Sequence, residues 1–420
     1  MKITPLIFLV LLIVAVTLLL TGADRPHGLK FVQNAAAVQE VTAQEITVQD
    51  VSMSDATVPK SSVPKSSVSK SSVPQTAASN VSATANSPRP VFDSVFLSSA
   101  DGPASVHAGT VTYLSNGDLM TAWFGGSREG AKDVSIYSAT RSADGTWSQQ
   151  KVIASRQQTT KDLNRYIRKL GNPVLFTDGQ GRTWLFYVTV CMGGWSGGSV
   201  TCRFSDDCGQ TWSQARQFNC APFLNAGTLI KGKPLLTTTG HILLPVYHEF
   251  FNKFAELLVL DPDGNLVDKY RLNADGGSLQ PWVIPDNSHQ AYVFCRQYKH
   301  AQQMTLVNGF DLASRQWQPV KHTNVRNPGA GIAVIRRWNG QMMMVFNSGI
   351  GRERLSIAVS DDGMDWKEMR DIEVGIKGDE FSYPYLIRGT QVGTYHLIYT
   401  WQRQKMKMLT FNEAWLEQTP

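Results

Sequence analysis

The stretch that decides the fold of this chain is Ser205-Asp206-Asp207-Cys208-Gly209-Gln210-Thr211-Trp212. Its pattern, Ser-x-Asp-x-Gly-x-Thr-Trp, predicts a tight turn followed by an aromatic residue that opens a strand. Asp207 can accept hydrogen bonds from backbone N–H groups inside the turn, and Gly209 can adopt a φ value that residues with a Cβ avoid. Trp212 can cover the hairpin with a large apolar face. Shorter relatives of this Asp-box turn occur at residues 142–147 and 360–366.

A second repeat runs through the chain in register with these turns. Six times a turn is followed by an apolar strand that ends in aromatic or polar residues. The six strands are residues 119–124, 184–188, 242–247, 291–296, 342–347 and 395–400. Their spacing of about 45 to 65 residues is typical of a four-stranded propeller blade with its loops. Residues 91–409 contain no long pattern of an amphipathic helix.

The sequence therefore predicts an all-β protein, a six-bladed β-propeller over residues 90–415. The predicted blades are residues 106–153, 172–218, 229–272, 280–320, 331–372 and 383–409. The last blade has only three clear strands, and residues 91–97 could supply the fourth, which would leave no free sheet edge. The alternative is an open β-sandwich with similar hairpins, but sandwiches do not usually repeat so regularly.

The composition is that of a globular domain with an extension. The chain has 420 residues, 42% of them hydrophobic, and a formal net charge of +6. No run of Lys and Arg is interleaved with aromatic residues, so nucleic acid is not a predicted partner. The mild positive charge would suit an anionic carbohydrate.

The N-terminus predicts export. Residues 3–23 carry no charge and are almost wholly apolar, long enough to span a bilayer core of about 30 Å. They could form a signal peptide cleaved after Ala23, or an uncleaved membrane anchor. The anchor is favoured because only Lys2 precedes a long apolar core. Residues 1–23 are therefore assigned to an anchor or signal peptide. The propeller would lie outside the cytoplasm, or be secreted or periplasmic after cleavage.

Residues 24–89 predict a disordered linker rich in Ser, Val, Pro and Lys. A pentapeptide repeat occupies residues 61–75, and such a run cannot bury enough apolar surface to offset the loss of chain entropy. Four of the five cysteines lie within residues 191–220, where export would allow disulfides, and Cys295 is expected to stay a buried free thiol. The chain has no Cys-x-x-Cys pair, and we predict neither a metal nor a cofactor.

A propeller usually binds its ligand on the axis, where inner strands end and loops join the blades. Polar and aromatic residues gather at those positions of the predicted blades. They are His107, Glu129, Asp133, Tyr247, Glu249, Gln280, Arg296, Asn327, Asn347, Arg352, Arg354, Glu380, Tyr383, Tyr399, Trp401 and Arg403. Each of them singly could equally be a satisfied hydrogen bond or a solvated loop end.

Together with the Asp-box turns, these residues resemble the sialidase (neuraminidase) superfamily, and more narrowly its bacterial branch of BNR-repeat predicted neuraminidases. The resemblance covers residues 91–409. The stretches that carry it are Trp123-Phe124-Gly125-Gly126 with Glu129-Gly130 and Asp133, Asn172-Pro173-Val174-Leu175, Lys233-Pro234, Pro245-Val246-Tyr247 with Glu249, Gln280-Pro281, Asn327-Pro328, residues 352–355, Ser382-Tyr383-Pro384, and Tyr399-Thr400-Trp401 with Arg403.

The resemblance implies a chemistry. Sialidases release a terminal sialic acid with retention by a tyrosine nucleophile, since a neutral phenol is not repelled by the substrate's carboxylate. Tyr383 falls at the position of that nucleophile and Asp133 at that of the general acid/base. Arg296 and Arg352 resemble two of the three arginines that bind the substrate carboxylate.

Two positions depart from the family pattern. The first arginine of the family is replaced by His107, which can be neutral at pH 7 and cannot grip a carboxylate with a forked pair of donors. The glutamate that activates the tyrosine is replaced by Gln280, and Glu249 or Glu380 could substitute for it. His107, Gln280, Asn327 and Arg403 are predicted to bind substrate with the two arginines, and Glu249 is predicted to be catalytic with Tyr383 and Asp133.

The leading hypothesis is an exported glycoside hydrolase, an exo-sialidase by default, that acts on an acidic glycan and contacts the membrane through its N-terminal segment. A second hypothesis is another glycosidase or a polysaccharide lyase, with His107 and Tyr247 or Tyr399 as acid and base. A third is a non-catalytic carbohydrate-binding propeller, which the changes at His107 and Gln280 favour.

Overall fold

The computed structural model describes residues 48–49, 89–98, 102–221, 224–273, 276–286, 289–298 and 303–418. The predicted N-terminal segment (residues 1–23) and most of the predicted linker (residues 24–89) lie outside the described residues. The described part contains two short α-helices, α1 (Arg156–Asp162) and α2 (Glu413–Glu417), and one 3₁₀ turn, Trp195–Gly197. Neither helix has the length and apolarity needed to traverse a bilayer.

The described strands form six antiparallel sheets, which are the six predicted blades. Two strands precede them, β1 (Val48–Gln49) and β2 (Phe92–Phe96). Blade 1 is β3 (Ser105–Tyr113), β4 (Leu119–Gly126), β5 (Ser135–Arg141) and β6 (Lys151–Ser155). Blade 2 is β7 (Lys169–Thr177), β8 (Thr183–Val190), β9 (Gly198–Ser205) and β10 (Arg216–Gln217). Blade 3 is β11 (Thr228–Ile230), β12 (Leu235–Thr237), β13 (Ile242–His248), β14 (Phe254–Leu260) and β15 (Leu266–Arg271), with β1 paired to β12.

The remaining three blades follow the same order. Blade 4 is β16 (Ser278–Pro285), β17 (Gln290–Gln297), β18 (Met304–Asp311), β19 (Gln316–Trp317) and β20 (Lys321–Arg326). Blade 5 is β21 (Ala333–Arg336), β22 (Met342–Asn347), β23 (Arg354–Ser360) and β24 (Lys367–Val374). Blade 6 is β25 (Phe381–Arg388), β26 (Thr394–Trp401) and β27 (Lys405–Asn412), with β2 as its outermost strand. The six-bladed propeller is confirmed, with blade ends that differ from the predicted ones by a few residues.

The predicted closure of the ring is also confirmed. β2 pairs with β27 in antiparallel register, Ser94 opposite Leu409, so the start of the domain completes the last blade. Phe92 stacks on Trp415 of α2 with ring centroids 4.6 Å apart. The closing strand covers the edge of β27, which would otherwise be open to pairing with another chain.

Burial explains the apolar repeat read from the sequence. Every residue of β8 is buried, and so is every residue of β4, because each second strand is covered on both faces by neighbouring blades. The outer strand β24 has no buried residue. The apolar runs therefore mark the middle of each blade.

The Asp-box turn has the predicted geometry. Asp207 accepts hydrogen bonds from Thr211 N at 2.9 and 3.0 Å and from Thr211 Oγ1 at 2.5 Å, and Ser205 Oγ donates a further one at 2.7 Å. These bonds, first those from Thr211, lower the pKa of Asp207 to about 2. Gly209 has φ of +77°, the left-handed conformation that the turn requires.

The five cysteines are all free. The cysteine-rich segment of blade 2 therefore contains no disulfide in this structure, although export would allow one. Cys295 is a buried strand residue, as expected, and burial raises the pKa of its thiol to about 12.

Candidate active site

The inner strands of four blades share an irregularity that aims side chains at the axis. In each of them the register shifts at a residue with positive φ. These residues are Ala108 (φ +53°), Asn172 (+47°), Gln280 (+52°) and Tyr383 (+55°). Three of the four precede a proline, which cannot donate to the strand ladder. A β-bulge bends its strand and re-aims a side chain, at about 1–3 kcal/mol for each left-handed residue other than glycine.

Blade 5 brings a glycine to the same crowded position. A Cβ on Gly331 would lie 3.1 Å from Gln280 Oε1 and 3.7 Å from Tyr383 Cα. Residues at the inner strands of blades 4, 5 and 6 therefore meet at Tyr383, and a side chain at residue 331 would crowd Gln280 and contact Tyr383.

Tyr383 is surrounded by cations and by two polar side chains from other blades. Arg296 Nη1 donates a hydrogen bond to its hydroxyl oxygen at 3.2 Å, and Arg352 Cζ lies 5.5 Å from the centre of its ring. The imidazole of His107 lies beside the ring, with centroids 4.4 Å apart. Gln280 forms a side-chain hydrogen bond with the phenol.

These neighbours change the acidity of the phenol. Burial raises the pKa of Tyr383, but the charges of Arg296 and Arg352 and the hydrogen bond from Gln280 outweigh burial, and the net pKa is lowered. By contrast, burial raises the pKa of Tyr247 far above its ordinary value. Of these two cavity tyrosines, Tyr383 is therefore the one whose phenolate is favoured.

A cavity of about 160 Å³ opens above Tyr383. It is lined by Glu129, Asn172, Trp195, Leu229, Tyr247, Glu249, Leu279, Gln280, Arg296, Tyr298 and Tyr383. The predicted site residues Tyr383, Glu249, Gln280 and Arg296 thus share one cavity. Trp195 and Tyr298 were not singled out from the sequence, because neither lies in a stretch that carries the resemblance.

Three buried polar atoms at this site have no hydrogen-bond partner among the described residues. They are Arg296 Nε, Gln280 Oε1 and His107 Nδ1. Arg296 also forms no ion pair with any described carboxylate, whereas Arg352 and Arg403 both do. Buried polar groups are normally paired, so these three atoms are available to a ligand or to water in the cavity.

Arg352 and Arg403 do not line the cavity but belong to a chain of ion pairs that reaches it at Glu129. Glu380 accepts hydrogen bonds from Arg352 Nη1 at 2.9 Å, from Arg403 Nε at 2.6 Å and from Ser382 Oγ at 2.6 Å. Arg403 Nη1 also bonds Glu129 at 2.5 Å. Burial raises the pKa of Glu380, but the bonds from Arg403 and Ser382 and the charge of Arg352 lower it to about 2. Glu380 is therefore ionised throughout the physiological range and fixes both guanidinium groups.

His107 is a neutral group at this site. Its ring is 3% exposed, and burial, followed by the charges of Arg403, Arg352 and Lys231, holds its pKa well below 6.5 despite the opposing charge of Glu380. It can therefore donate or accept a hydrogen bond but cannot supply the positive charge of the arginine it replaces.

The two predicted catalytic carboxylates lie in different surroundings. Asp133 is exposed in the loop between β4 and β5, and Ser127 donates to it from N at 2.8 Å and from Oγ at 3.0 Å. The Ser127 hydrogen bonds, first the backbone one, lower its pKa, and it does not line the cavity. Glu249 lines the cavity, and burial raises its pKa.

Asn327, predicted to bind substrate, is 1% exposed and is engaged by its own loop. Its Oδ1 accepts from Gly329 N at 2.9 Å and from Ala330 N at 3.0 Å, and its Nδ2 donates to Ala330 O at 3.0 Å. The side chain shapes the approach to β21, and a contact with substrate stays a prediction.

The propeller has known structural relatives. The Hadza microbial sialidase Hz136 is 14% identical, with a TM-score of 0.62 over 74% of this chain and 66% of that one. The NanB sialidase from Streptococcus pneumoniae is 10% identical, with a TM-score of 0.60 over 76% of this chain and 70% of that one. A Dyadobacter fermentans protein of unknown function is 12% identical, with a TM-score of 0.60 over 77% and 98% of the two chains. At these identities the likeness shows the fold.

No curated protein matches the sequence. Residues 117–397, which reach from blade 1 into blade 6, match the family described as the BNR repeat-like domain. The chain therefore belongs to the BNR repeat-like domain family and has the propeller fold of the sialidase superfamily.

Proposed function

We propose that this protein is a glycoside hydrolase of the sialidase type, which removes a terminal acidic sugar with retention at the anomeric carbon. The observation that carries the proposal is the Arg296 guanidinium, whose Nη1 donates to the acidified phenol of Tyr383 while its buried Nε has no partner among the described residues. An anion clamp next to an ionisable phenol is what a tyrosine nucleophile needs for a substrate with a carboxylate at or near the anomeric centre.

In the proposed first step the Tyr383 oxygen bonds to the anomeric carbon as the bond to the leaving oxygen breaks. Arg296 and Arg352 hold the sugar carboxylate by charge-assisted hydrogen bonds. The lowered pKa of Tyr383 makes loss of the phenol proton to solvent easier than for an ordinary tyrosine. Water then attacks the anomeric carbon, its proton passes to the carboxylate that protonated the leaving oxygen, and the electron pair of the broken bond returns to Tyr383, so two inversions give retention.

The leaving oxygen needs a proton, and two carboxyl groups are candidates. The raised pKa of Glu249 and its place in the cavity support Glu249 as the donor. A carboxyl group with a lowered pKa, such as that of Asp133, is ionised at neutral pH and has no proton to donate. We therefore assign proton transfer to Glu249, while the role of Asp133 rests on the family resemblance.

The assignment of Glu249 is tested by leaving-group chemistry. Glu249→Gln is expected to slow hydrolysis of an alkyl glycoside by about 10²- to 10³-fold. A nitrophenyl glycoside should lose far less activity, because an acidic phenol departs without a proton. Asp133→Asn is the matched control and should lose less than about tenfold on both substrates. If Asp133→Asn showed the large loss on the alkyl glycoside and Glu249→Gln did not, the general acid would be Asp133.

The reaction itself is tested with the purified chain and a panel of acidic glycosides. The panel holds α-sialosides, β-glucuronides and α-galacturonides, followed by proton NMR of the first product. Release of an intact sugar acid in the anomeric configuration of its substrate is the expected result. Release of the inverted anomer, or binding of every acidic sugar without turnover, would contradict the proposal.

A β-elimination is the second candidate, favoured by the neutral His107 beside Tyr383. A uronate lyase removes the proton α to a carboxylate and protonates the leaving oxygen. The neutral imidazole could take the first proton, and the protonated Tyr383 phenol could give the second. The same panel separates the two reactions, since a lyase product carries a new double bond that absorbs ultraviolet light.

We also propose that the chain is exported and held at a membrane by residues 3–23. The support is the uncharged apolar sequence of that segment. Fractionation of cells that express the full chain would place it in the membrane fraction, or in the secreted or periplasmic fraction if the segment is cleaved.

A further inference from the structure

A group of positive side chains lies next to the cavity on the junction of blades 1 and 2. It comprises Arg128, Lys132, Arg156, Arg165, Arg168 and Lys169, which we call the basic rim. Four of the six are exposed, and Arg156 and Lys169 are half-buried. None of them forms an ion pair with a described carboxylate.

Hydrogen bonds connect the segments that carry the basic rim into one continuous surface. Arg156 Nε donates to Lys132 O at 2.9 Å, and its Nη1 donates to Ile167 O at 3.4 Å. Arg168 Nη1 donates to Gly193 O at 3.1 Å, in the loop that precedes Trp195. These bonds join the β4–β5 loop, α1 and the start of β7 into one surface.

The acidic residues of the same segment do not neutralise it. Glu129 is bonded to Arg403 and to Trp195 Nε1, the latter at 3.1 Å. Asp162 is turned inward, 3% exposed, and lies 3.7 Å from Arg203. Asp133 is held by Ser127. The rim therefore keeps most of its positive charge.

Trp195 joins the rim to the cavity. It lines the cavity, and the Lys169 ammonium lies 4.2 Å from the centre of its ring. Tyr166, between Arg165 and Arg168, is 58% exposed and offers an aromatic face of the kind on which sugar rings can pack. A glycan that leaves the cavity over Trp195 would meet these cations at once.

From this geometry we propose that the basic rim is a second anionic subsite, so that the substrate is an acidic oligosaccharide or polysaccharide with a negative charge beyond its terminal sugar. The inference rests on the proposed function and names the substrate class of the same site. A membrane fits less well, because Arg352, Arg354 and Arg403 are paired with carboxylates, and Lys253, over the Tyr298 ring, is half-buried. Unpaired positive charge concentrated on one side of the cavity suits a glycan chain that leaves the cavity in one direction.

The test compares binding of a sugar acid with binding of its oligomer by the full chain. The probes are N-acetylneuraminic acid and its linear trimer, and galacturonic acid and its linear hexamer, measured by calorimetry at low and high salt. Arg165→Gln with Arg168→Gln removes two exposed charges. We expect this variant to bind the matching oligomer about tenfold more weakly at low salt, with less than a twofold change for the monomer.

Lys321→Gln with Lys367→Gln is the matched control, since it removes two exposed charges from the outer strands of blades 4 and 5. It should leave the ratio of oligomer to monomer affinity unchanged. Equal affinities of wild type for monomer and oligomer, or an unchanged ratio in the rim variant, would overturn the proposal. So would a rim variant that loses binding only to phosphatidylserine vesicles, since that result would assign the rim to membranes. Binding of the oligomer that depends on the rim without turnover of any glycoside would refute the proposed hydrolysis and leave the subsite standing.

Discussion

Replacement of Tyr383 by phenylalanine is expected to abolish turnover, with a loss in kcat of about 10³-fold or more. The variant removes one oxygen atom, the one that receives the Arg296 hydrogen bond and whose pKa the two arginines lower. The ring stays, so its contacts with His107 and Arg352 are retained and the fold should not change. Sugar-acid binding by calorimetry should persist within about tenfold, which separates lost chemistry from lost binding.

Tyr247→Phe is the matched control for this experiment. It also removes a phenol oxygen from the cavity wall, but one whose pKa burial raises. A hydroxyl that stays protonated can at most position substrate, so a loss of less than about tenfold is expected. If Tyr247→Phe abolished turnover and Tyr383→Phe did not, the nucleophile would be wrongly assigned.

The second large effect is expected at Lys231, which is buried beside Tyr383. Its side chain is 1% exposed, and its Nζ donates to Gly109 O at 2.8 Å without an ion pair to any described carboxylate. The titratable groups that face it are Tyr383 and Tyr385, with ring centres 6.0 and 5.0 Å away, and His107. Burial lowers the pKa of Lys231 to about 7.

The sign of the linkage follows from that lowered pKa. Between about pH 7 and about pH 10.4 the unfolded chain holds a proton on this lysine that the folded chain has lost, so stability rises with pH by up to about 1.4 kcal/mol per unit. Lys231→Met removes the buried charge. The variant should gain about 2 kcal/mol in unfolding free energy at pH 7, after loss of the bond to Gly109, and should lose the rise with pH.

Urea unfolding followed by tryptophan fluorescence from pH 6 to pH 10 measures both effects. Lys233→Met is the matched control, because this nearby lysine is only half-buried, and its change should stay below about 1 kcal/mol. An unchanged stability and an unchanged pH slope in Lys231→Met would mean that the lysine is hydrated or paired in solution. A gain in unfolding free energy would mean that Lys231 destabilises the native protein. A destabilising residue is expected where a functional site requires it at a cost in stability.

The fold could be predicted because its signals are local. The Asp-box turn at Asp207 is built from residues within eight positions, and each apolar run, such as β8, marks a strand covered on both faces. The closing strand could be found because blade 6 lacked a fourth strand and residues 91–97 were free to supply it. Strand ends were less predictable, as at β20 (Lys321–Arg326), which lies wholly beyond the predicted end of blade 4 and belongs to that blade because it pairs with β18.

The site was predictable only in part, because its geometry depends on distant residues. The sequence indicated Tyr383, Gln280 and Arg296 as site residues. It did not indicate the β-bulges that turn the side chains of Tyr383 and Gln280 toward the cavity. The bond between Glu129 and Arg403 joins residues 274 positions apart, and nothing near either residue signals it. Asp133 was chosen by its place before a strand, and the local bonds from Ser127 that hold it are equally invisible to that reading.

The central claim is that Tyr383 forms a covalent bond to an acidic sugar. The most direct measurement is mass spectrometry of the protein after incubation with a sialosyl fluoride or a uronosyl fluoride that carries a second fluorine next to the anomeric carbon. That fluorine slows hydrolysis of the glycosyl-enzyme, so a retaining enzyme should accumulate it. The expected result is one added sugar on the peptide that contains Tyr383. An adduct on a carboxylate, or turnover of an acidic glycoside without any adduct, would contradict the account.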